Sequence, residues 1–418
     1  MTDLVVDVVV QVAGTDLLAG RLWAHRRGQV ESATFGYEPD YIEHPDAYEL
    51  DPLLPLVTGQ LQTPVGKPIF GALSDCAPDR WGRKLMQRAE KHRKESEGGA
   101  ERSFGEIDYL LGVRDDLRQG ALRFHHPGSS TYLADEHEGV PSLLELPNLV
   151  TSAEHLERGE ATGEDIRALL RGGSSLGGAR PKAHVISQGG RIAIAKFPSP
   201  SDDWDVIRWE AVVLQLARDS GISVPAWKLH TLDGKAVLIV DRFDRSGEQR
   251  IGYASAMTML EATDHEQASY LDLAGVIEEH SPNTSADLRE LWRRVAFSIL
   301  VSNTDDHLRN HGFLRTSTAG WSLSPAFDLN PNPLPGIKHL STAIGSGTTA
   351  AVQPLMDVAE FFGLNQAEAG IVLNEVADST RRWQSVALQL GLRNDEIRDM
   401  APAFEHEQSG VARTVAGG

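Results

Sequence analysis

One short segment, residues 302–310, limits what this chain can fold into more than any other. It follows the strongest helical pattern in the sequence, at 286–302, where apolar residues recur at helical spacing. The next eight residues, from Asn303 to Asn310, are almost all polar. Taken one at a time, each is explained as a residue that ends a helix or forms a turn. Their relative spacing indicates something more specific.

Asp305 and Asn310 have the spacing found in the catalytic loop of protein kinases. Phosphoryl transfer needs a carboxylate at the attacking hydroxyl and a nearby amide oxygen that holds Mg²⁺. Farther along, after two strand-like runs, Asp328 follows Phe327. Asp328 then has the position of the aspartate that binds Mg²⁺ in Asp-Phe-Gly motifs, although here the phenylalanine precedes the aspartate. We therefore expect a phosphotransfer site built from these residues.

A glycine-rich segment and a strand lysine precede the polar segment in the order that such a site requires. Residues 172–182 have the sequence Gly-Gly-Ser-Ser-Leu-Gly-Gly-Ala-Arg-Pro-Lys. Glycines let the backbone approach phosphate oxygens, and Lys182 adds a positive charge. Lys196 then ends an apolar strand and is predicted to hold phosphates, with Glu210 on the next helix as its partner. Taken alone, the glycine-rich segment would be explained as a plain turn, and Lys196 as a strand lysine that extends to solvent.

The order of patterns predicts an α+β chain. We expect a mixed N-terminal subdomain at 1–125, a linker with the glycine-rich segment and a nucleotide-binding lobe at 126–245, a helical catalytic lobe at 246–405, and a flexible tail at 406–418. A strand-rich lobe followed by a helical lobe is the layout of a two-lobed protein-kinase-like fold.

Two local expectations accompany this division. A capping box beginning at Ser103 is expected to start a helix that extends to Leu111. The segment 127–164 is expected to be a connection that contains one helix.

Composition excludes several classes of protein. The net charge is -19, with 59 acidic and 40 basic residues, so a duplex DNA backbone would repel the chain unless basic residues cluster on one face. A single cysteine, Cys76, rules out an internal disulfide framework and favours a reducing compartment. The sequence has no signal-peptide pattern and no membrane-length apolar run, so we expect a cytoplasmic protein.

Several of these segments resemble the HipA family of serine/threonine kinases, the toxins of type II toxin–antitoxin systems. The resemblance covers residues from about 4 to about 400. The matching segments are the glycine-rich loop at 174–183, the hinge Arg-Phe-Asp-Arg at 242–245, the catalytic loop at 303–310, Phe327-Asp328, and the N-terminal stretch from Leu73 through Pro78-Asp79-Arg80-Trp81-Gly82. Arg180 and Pro181 depart from the Gln and Glu found before the loop lysine in some members.

The resemblance implies a role for each matching residue, with ATP and Mg²⁺ as cofactors. Asp305 would orient or deprotonate the attacking hydroxyl, Lys196 would hold the α- and β-phosphates, and Asn310 and Asp328 would bind Mg²⁺. The remaining residues that would line the nucleotide site are Ser175, Leu176, Gly177, Gly178, Lys182, Asp241, Phe243 and His307. Ser175, or Ser174 beside it, would be autophosphorylated, and this would eject the glycine-rich loop and switch the kinase off.

The resemblance also implies partners. A HipB-like helix-turn-helix antitoxin would bind the kinase and operator DNA, so this chain would contact DNA only indirectly. A translation component such as an aminoacyl-tRNA synthetase would be the substrate, and its phosphorylation would arrest growth and favour persistence. Two alternatives stay open: a catalytically weak kinase-fold co-repressor, and a small-molecule kinase with the same Asp–Asn–Asp chemistry.

Overall fold

The computed structural model describes residues 4–98, 103–134, 139–173, 178–264 and 266–416. Its strands are β1 Leu4–Val12, β2 Thr15–Arg27, β3 Val30–Tyr37, β4 Leu61–Gln62, β5 Leu122–His125, β6 Lys182–Ile186, β7 Ile192–Lys196, β8 Trp227–Leu232, β9 Lys235–Asp241, β10 Arg245–Ser246, β11 Gln249–Arg250, β12 Gly252–Ser255, β13 Gly312–Ser317, β14 Gly320–Leu323, β15 His339–Ile344 and β16 Gly347–Thr349.

The α-helices are α1 Pro39–Ile42, α2 Gly71–Ser74, α3 Arg80–Glu97, α4 Glu106–Leu111, α5 Leu146–Arg158, α6 Gly163–Arg171, α7 Val206–Asp219, α8 Ala256–Met259, α9 Tyr270–His280, α10 Thr284–Leu300, α11 Val352–Asp357, α12 Gln366–Thr380, α13 Trp383–Gln389, α14 Asn394–Met400 and α15 Glu407–Ala416. Within the described ranges, no helix is long and apolar enough to cross a membrane.

The chain folds into two compact units. The first contains the residues up to Ser201 together with Val240–Ala254 and Leu314–Thr318. The second contains Asp202–Ile239, Ser255–Phe313 and the residues from Ala319 onward. Each unit therefore includes segments that are distant in sequence.

An antiparallel sheet in the order β4-β3-β2-β1-β5 forms the N-terminal part of the first unit. Val6 lies opposite Leu22, and Leu22 lies opposite Phe35, so these three buried side chains form one row across three strands. The nearly continuous valines of β1 favour a strand, and residues 6–10 are buried on both of its faces. The sheet lies within the residues 1–125 that were predicted to form a mixed N-terminal subdomain.

Strands β6 and β7 form an antiparallel pair in the first unit. Ala183, Val185, Ala193 and Ala195 are all buried, and they alternate along the two strands. These small side chains therefore lie on one face of the pair. The two lysines at its end, Lys182 and Lys196, lie directly opposite each other on the other face.

Helix α10 is a central element of the second unit and is buried along most of its length. Its buried residues include Leu291, Trp292, Val295 and Phe297 at helical spacing. A cluster of aromatic rings packs elsewhere in this unit: the rings of Trp383 and Phe404 stack with centroids 4.7 Å apart. The helical pattern predicted at 286–302 is confirmed with a shift of two residues at each end.

One local expectation was wrong. Helix α4 begins after Gly105 rather than at Ser103, and the Glu31 carboxylate accepts a hydrogen bond from the Glu106 N–H at 2.7 Å. A carboxylate from a distant strand thus replaces the predicted serine cap. The connection at 127–164 contains one complete α-helix, α5, as expected, and α6 begins at its end.

The predicted flexible tail is also wrong for most of its length, because residues Glu407–Ala416 form α15. Ala412 is fully buried, and the Gln408 side-chain oxygen accepts a hydrogen bond from the Val352 N–H at 2.9 Å. The small residues at the end of the sequence were interpreted as a flexible tail. In the structure, small residues such as Ala412 let α15 pack closely against the rest of the second unit.

Candidate phosphotransfer site

The polar segment 302–310 begins directly after α10, at a residue with unusual backbone geometry. Ser302 is completely buried and has a φ of +53°. A non-glycine residue with positive φ turns the chain sharply at the end of a helix, at some cost in strain. The turn directs the residues that follow away from the helix axis.

This segment is hydrogen-bonded to the stretch that follows Asp328. The Asn330 N–H donates to Asn303 Oδ1 at 3.3 Å, and the Asn332 N–H donates to the Ser302 carbonyl at 3.1 Å. The Asn332 side-chain amide donates to Thr304 Oγ1 at 3.0 Å. Three neutral hydrogen bonds therefore hold the two predicted catalytic segments side by side.

Asp305 and Asn310 lie together as their spacing predicts. The Asn310 Nδ2 donates to the Asp305 backbone carbonyl at 2.7 Å, while the Asp305 side chain is 65% exposed. His307 lies beside them, with Nε2 3.6 Å from Asp305 Oδ1. Because the Asn310 amide nitrogen is engaged by the backbone, its amide oxygen points elsewhere and can act as a ligand.

The neighbouring aspartate, Asp306, lies in a different environment. It is buried, with Oδ2 accepting a hydrogen bond from the Tyr270 hydroxyl and Oδ1 accepting one from the Ser341 N–H at 2.6 Å. Its carbonyl accepts a hydrogen bond from Thr342 Oγ1 at 2.7 Å. Burial raises the pKa of Asp306 to about 6, against the lowering effect of these donors. Asp306 anchors the loop to β15, and Asp305 remains the exposed carboxylate.

Asp328 also has a strained backbone, with a φ of +57°. The residues around it are fixed: the Ala326 N–H donates to the Ser223 carbonyl at 2.7 Å, and Asn330 bonds to Asn303 as described above. A non-glycine residue in this conformation persists only where its surroundings hold it, which is common at functional sites.

A small pocket of the second unit lies where these segments meet. It is lined by side chains from α10, from the polar segment and from the stretch around Asp328: Arg294, Ser298, Asn303, Asp306, Asn310, His311, Ala326, Phe327 and Leu329. Burial lowers the pKa of His311 to about 4, so its ring is neutral near pH 7.

The donor set suits a hard cation shared with a phosphate. Among the described residues, no group of three or more His, Cys, Asp or Glu side chains could hold a metal ion by itself. Asn310 and Asp328 would supply one amide oxygen and one carboxylate. Mg²⁺ is commonly bound by one or two such ligands plus substrate phosphates and water. The residues present therefore fit a nucleotide-linked Mg²⁺ and would not fit an all-protein metal cage.

The two residues predicted to form the lysine–glutamate pair belong to different units. Lys196 ends β7 in the first unit. Glu210 lies on α7 in the second unit and is 3% exposed. A buried glutamate is expected to be paired, and its pairing with Lys196 stays a prediction.

Lys182 has a partner that the sequence did not indicate. Its side chain is 7% exposed, and its Nζ lies 2.5 Å from Asp79 Oδ2. Its role as a nucleotide contact stays a prediction. Gly178 has a φ of +114°, a conformation that favours glycine. Ser174, Ser175, Leu176 and Gly177 lie outside the described residues.

The predicted hinge residues lie in the first unit among charged groups. The Arg191 guanidinium donates to Asp241 Oδ2 at 2.6 Å, and the Phe243 ring lies 6.3 Å from that of Tyr253. Asp244 follows Phe243 and is buried.

Asp244 is the centre of a buried set of ion pairs, here called the Arg242 network and defined by Arg242, Asp244, Arg245 and Gly120. Both arginines donate to the Asp244 carboxylate, at 2.6 and 2.9 Å, and so does the Gly120 N–H, at 2.8 Å. The two guanidiniums hold the pKa of Asp244 well below its usual range. The predicted hinge segment is thereby tied to the residues just before β5, an edge strand of the N-terminal sheet.

Comparison with known proteins identifies the class to which this fold and site belong. The model of the HipA-like C-terminal domain matches residues 174–384, just over half of the chain. The chain therefore belongs to the family of proteins with a HipA-like C-terminal domain. The match begins at the glycine-rich segment and includes Lys196, Asp305, Asn310 and Asp328.

A solved structure supports the same assignment for the fold. The toxin–antitoxin complex of HipA, HipB and operator DNA from Shewanella oneidensis MR-1 contains a chain that matches with a TM-score of 0.67 and 17% identity, over 99% of both chains. The predicted α+β, two-lobed kinase-like fold with a mixed N-terminal subdomain and a mainly helical C-terminal lobe is thus confirmed.

Two curated relatives are similar in sequence over a shorter stretch. A "Putative kinase" of Haemophilus influenzae is 27% identical over 190 residues, which cover 40% of this chain and 55% of that protein. "Putative kinase Y4dM" of Sinorhizobium fredii is 28% identical over 151 residues, covering 32% and 36% respectively. The chain matches only about half and about a third of these relatives' lengths.

Proposed function

We propose that this protein is an ATP- and Mg²⁺-dependent serine/threonine protein kinase and the toxin of a type II toxin–antitoxin system. The observation that carries the proposal is the joining of Asp305, Asn310 and the Asp328 segment through the hydrogen bonds of Asn303 and Asn332. Membership of the HipA-like family and the names of the two relatives support it.

Asp305 is the residue proposed to orient the attacking hydroxyl of the substrate. It is the exposed carboxylate of the loop, whereas Asp306 has its oxygens engaged by Tyr270 and Ser341. Phosphoryl transfer proceeds through a loose transition state, so positioning matters more than proton removal. A carboxylate at the surface can reach a side chain of a protein substrate, as a buried one cannot.

Asn310 and Asp328 are proposed to hold Mg²⁺, and Lys196 the α- and β-phosphates. The bound cation would neutralise charge on the phosphate oxygens during transfer. Asn310 is oriented by its hydrogen bond to the Asp305 carbonyl, so the ligand and the orienting carboxylate move together. This coupling favours a fixed geometry between nucleotide and hydroxyl.

The substrate and partner belong to the same proposal. The similar Shewanella structure is a complex of HipA with HipB and operator DNA, and by analogy we propose a HipB-like antitoxin for this chain, with DNA contact only through it. A translation component such as an aminoacyl-tRNA synthetase is the proposed substrate, and autophosphorylation of Ser175 or Ser174 the proposed control.

The test is incubation of the purified protein with Mg²⁺ and labelled ATP, followed by mapping of phosphorylated residues by mass spectrometry. Wild type is expected to label Ser174 or Ser175, and Asp305→Asn to lose about 10²-fold or more in rate. Asp306→Asn serves as the neighbouring control and should keep more activity than Asp305→Asn. The opposite order would place the catalytic carboxylate one residue later.

A co-repressor without kinase activity is the competing function, suggested by the operator DNA in the Shewanella complex. It predicts no label and no thermal shift with ATP and Mg²⁺. A thermal shift without label would leave nucleotide binding intact and direct the search to a separate protein substrate.

A further inference from the structure

The N-terminal stretch Pro78-Asp79-Arg80-Trp81-Gly82 lies at the start of α3 and contacts strand β6. Asp79 caps α3, because its Oδ1 accepts a hydrogen bond from the Gly82 N–H at 2.6 Å. Its second oxygen, Oδ2, lies 2.5 Å from Lys182 Nζ, and both side chains are 7% exposed. One carboxylate thus joins the start of a helix to the start of β6.

The Trp81 side chain binds the backbone of the same lysine. Its indole Nε1 donates to the Lys182 carbonyl at 3.0 Å, and the ring is 2% exposed. We call Asp79 and Trp81 the Lys182 clamp. Because one member binds the side chain and the other the main chain, both the direction and the position of Lys182 are fixed.

Lys182 lies directly opposite Lys196 in the β6–β7 pair. Side chains of directly opposite residues lie on the same face about 5 Å apart at Cβ, and like charges there repel. The Asp79 carboxylate offsets the charge of Lys182. The lysine proposed to hold the phosphates therefore stands beside a neutralised neighbour.

From this arrangement we infer that Asp79 and Trp81 are positioning residues for phosphate binding, acting through Lys182 on Lys196. The inference rests on the proposed function of Lys196. It gives the N-terminal subdomain a part in nucleotide binding, because the clamp is formed by residues at the start of α3. Neither clamp residue contacts the nucleotide in this scheme.

A second anchor on β6 limits the expected effect of losing the clamp. The Gly172 carbonyl accepts hydrogen bonds from the His184 N–H at 2.7 Å and from Nδ1 at 2.9 Å, and His184 Nε2 lies 3.3 Å from Arg242 Nη1. The middle of β6 stays fixed when Lys182 is released. We therefore expect weaker phosphate binding rather than loss of the strand.

The experiment compares wild type with Asp79→Asn in titrations with two probes, a non-hydrolysable ATP analogue with Mg²⁺, and adenosine. Asparagine keeps an oxygen for the Gly82 N–H but removes the charge that neutralises Lys182. The affinity for the ATP analogue is expected to fall about tenfold, because phosphate positioning is lost. The affinity for adenosine, which has no phosphates, is expected to change less than about twofold.

Glu106→Gln is the matched control. It removes the negative charge of Glu106, at the start of α4, which pairs with Arg83 on α3, the helix that Asp79 caps; the two contacts are 2.5 and 2.6 Å long. No residue of β6 or β7 takes part in that pair, so both affinities should stay at the wild-type level. Trp81→Phe keeps the ring but removes the hydrogen bond to Lys182, with an expected loss of about threefold for the ATP analogue alone.

Each outcome decides the matter. Equal weakening of both probes by Asp79→Asn would reveal a general structural role and overturn the inference. Unchanged affinity for the ATP analogue would overturn it too, and so would tighter binding, the result expected if the freed Lys182 charge attracted the phosphates directly. If Asp79→Asn does not fold, Trp81→Phe decides by the same criteria. A wild-type protein that binds no ATP analogue would overturn the proposed function itself, and the inference with it.

Discussion

The polar segment that carries Asp305 and the Arg242 network are held in place by different kinds of interaction. The polar segment, in the second unit, is held by hydrogen bonds of Asn303, Asn332 and backbone groups, and the one buried carboxylate among its anchors, Asp306, accepts from the neutral donors Tyr270 and Ser341. The Arg242 network, in the first unit, is held by buried charges that converge on Asp244. Neutral hydrogen bonds can be lost singly at modest cost, whereas removing one member of a buried ion pair leaves the other charge without compensation.

The difference has a functional meaning. A residue that meets a substrate, as proposed for Asp305, needs an exposed side chain, and the loop presents this carboxylate on a backbone held by neutral donors. A hinge, the role predicted for residues 242–245, needs a constant position more than it needs accessible groups. Variants of the two regions should therefore separate activity from stability.

Asp328→Ala should give the largest effect and should act on activity. Losing a carboxylate proposed to bind Mg²⁺ is expected to lower kcat/KM about 10³-fold or more, because charge neutralisation is lost in the transition state. The loss should at least equal that of Asp305→Asn. The free energy of unfolding should fall by no more than about 1 kcal/mol, because alanine tolerates the positive φ of this position less well than aspartate. A fall of several kcal/mol measured by urea titration would contradict the separation.

Asp244→Asn should act on stability instead. It leaves Arg242 and Arg245 buried without a carboxylate, and the expected loss in free energy of unfolding is about 3–5 kcal/mol. Asp378→Asn is the matched control, because it breaks an exposed pair with Arg381 whose side chains are 57% and 58% exposed. That change should cost less than about 1 kcal/mol. Equal effects of the two variants in chemical denaturation would remove the contrast.

Lowering the pH should change the free energy of unfolding in opposite directions through His184, which lies beside Arg242 of the network, and through Asp306 of the polar segment. Burial and the positive charge of Arg242 lower the pKa of His184 to about 3, so the folded state keeps it neutral while the unfolded chain takes up a proton below about 6.5. Stability from His184 is present above that pH and is lost as the pH falls. Between pH 7 and 5 the loss is roughly 2 kcal/mol.

Asp306 has the opposite sign, because its folded pKa of about 6 lies above the unfolded value of 3.8. Its stability contribution is fully present below pH 3.8 and is lost as the pH rises through 6. Lowering the pH from 7 to 5 should therefore recover roughly 1 kcal/mol. Unfolding measured at both pH values for wild type, His184→Gln and Asp306→Asn should show that each substitution removes its own contribution.

Gln408→Ala should give the smallest effect. It leaves the Val352 N–H without its acceptor on α15, which should cost about 1 kcal/mol of unfolding free energy. Gln384→Ala, which affects an exposed contact with Glu405 at 3.1 Å, is the control and should be nearly neutral. If Gln408→Ala is equally neutral, α15 contributes no more than a flexible tail would.

Elements with strong local patterns were predictable from the sequence, and so was the side-by-side placement of Asp305 and Asn310. The valine-rich run of β1 has a strong preference for a strand, and the apolar residues at 286–302 recur with helical periodicity. The different environments of Asp305 and Asp306 were not predictable, because Asp306 is held by Tyr270 and Ser341, which are distant in sequence. The Glu31 cap of α4 and the Asp79–Lys182 pair escaped prediction for the same reason.

Asp79 and Lys182 stand 103 positions apart, yet neither is suited to its buried place without the other. A mutation at one position should therefore be retained in descendants mainly when the other changes as well. The family match starts at residue 174, which leaves Asp79 outside it while Lys182 lies inside. Recombination at that boundary between two relatives that differ at these positions would leave a buried charge without its partner. The two segments should therefore be inherited together. Related sequences should show that positions 79 and 182 covary.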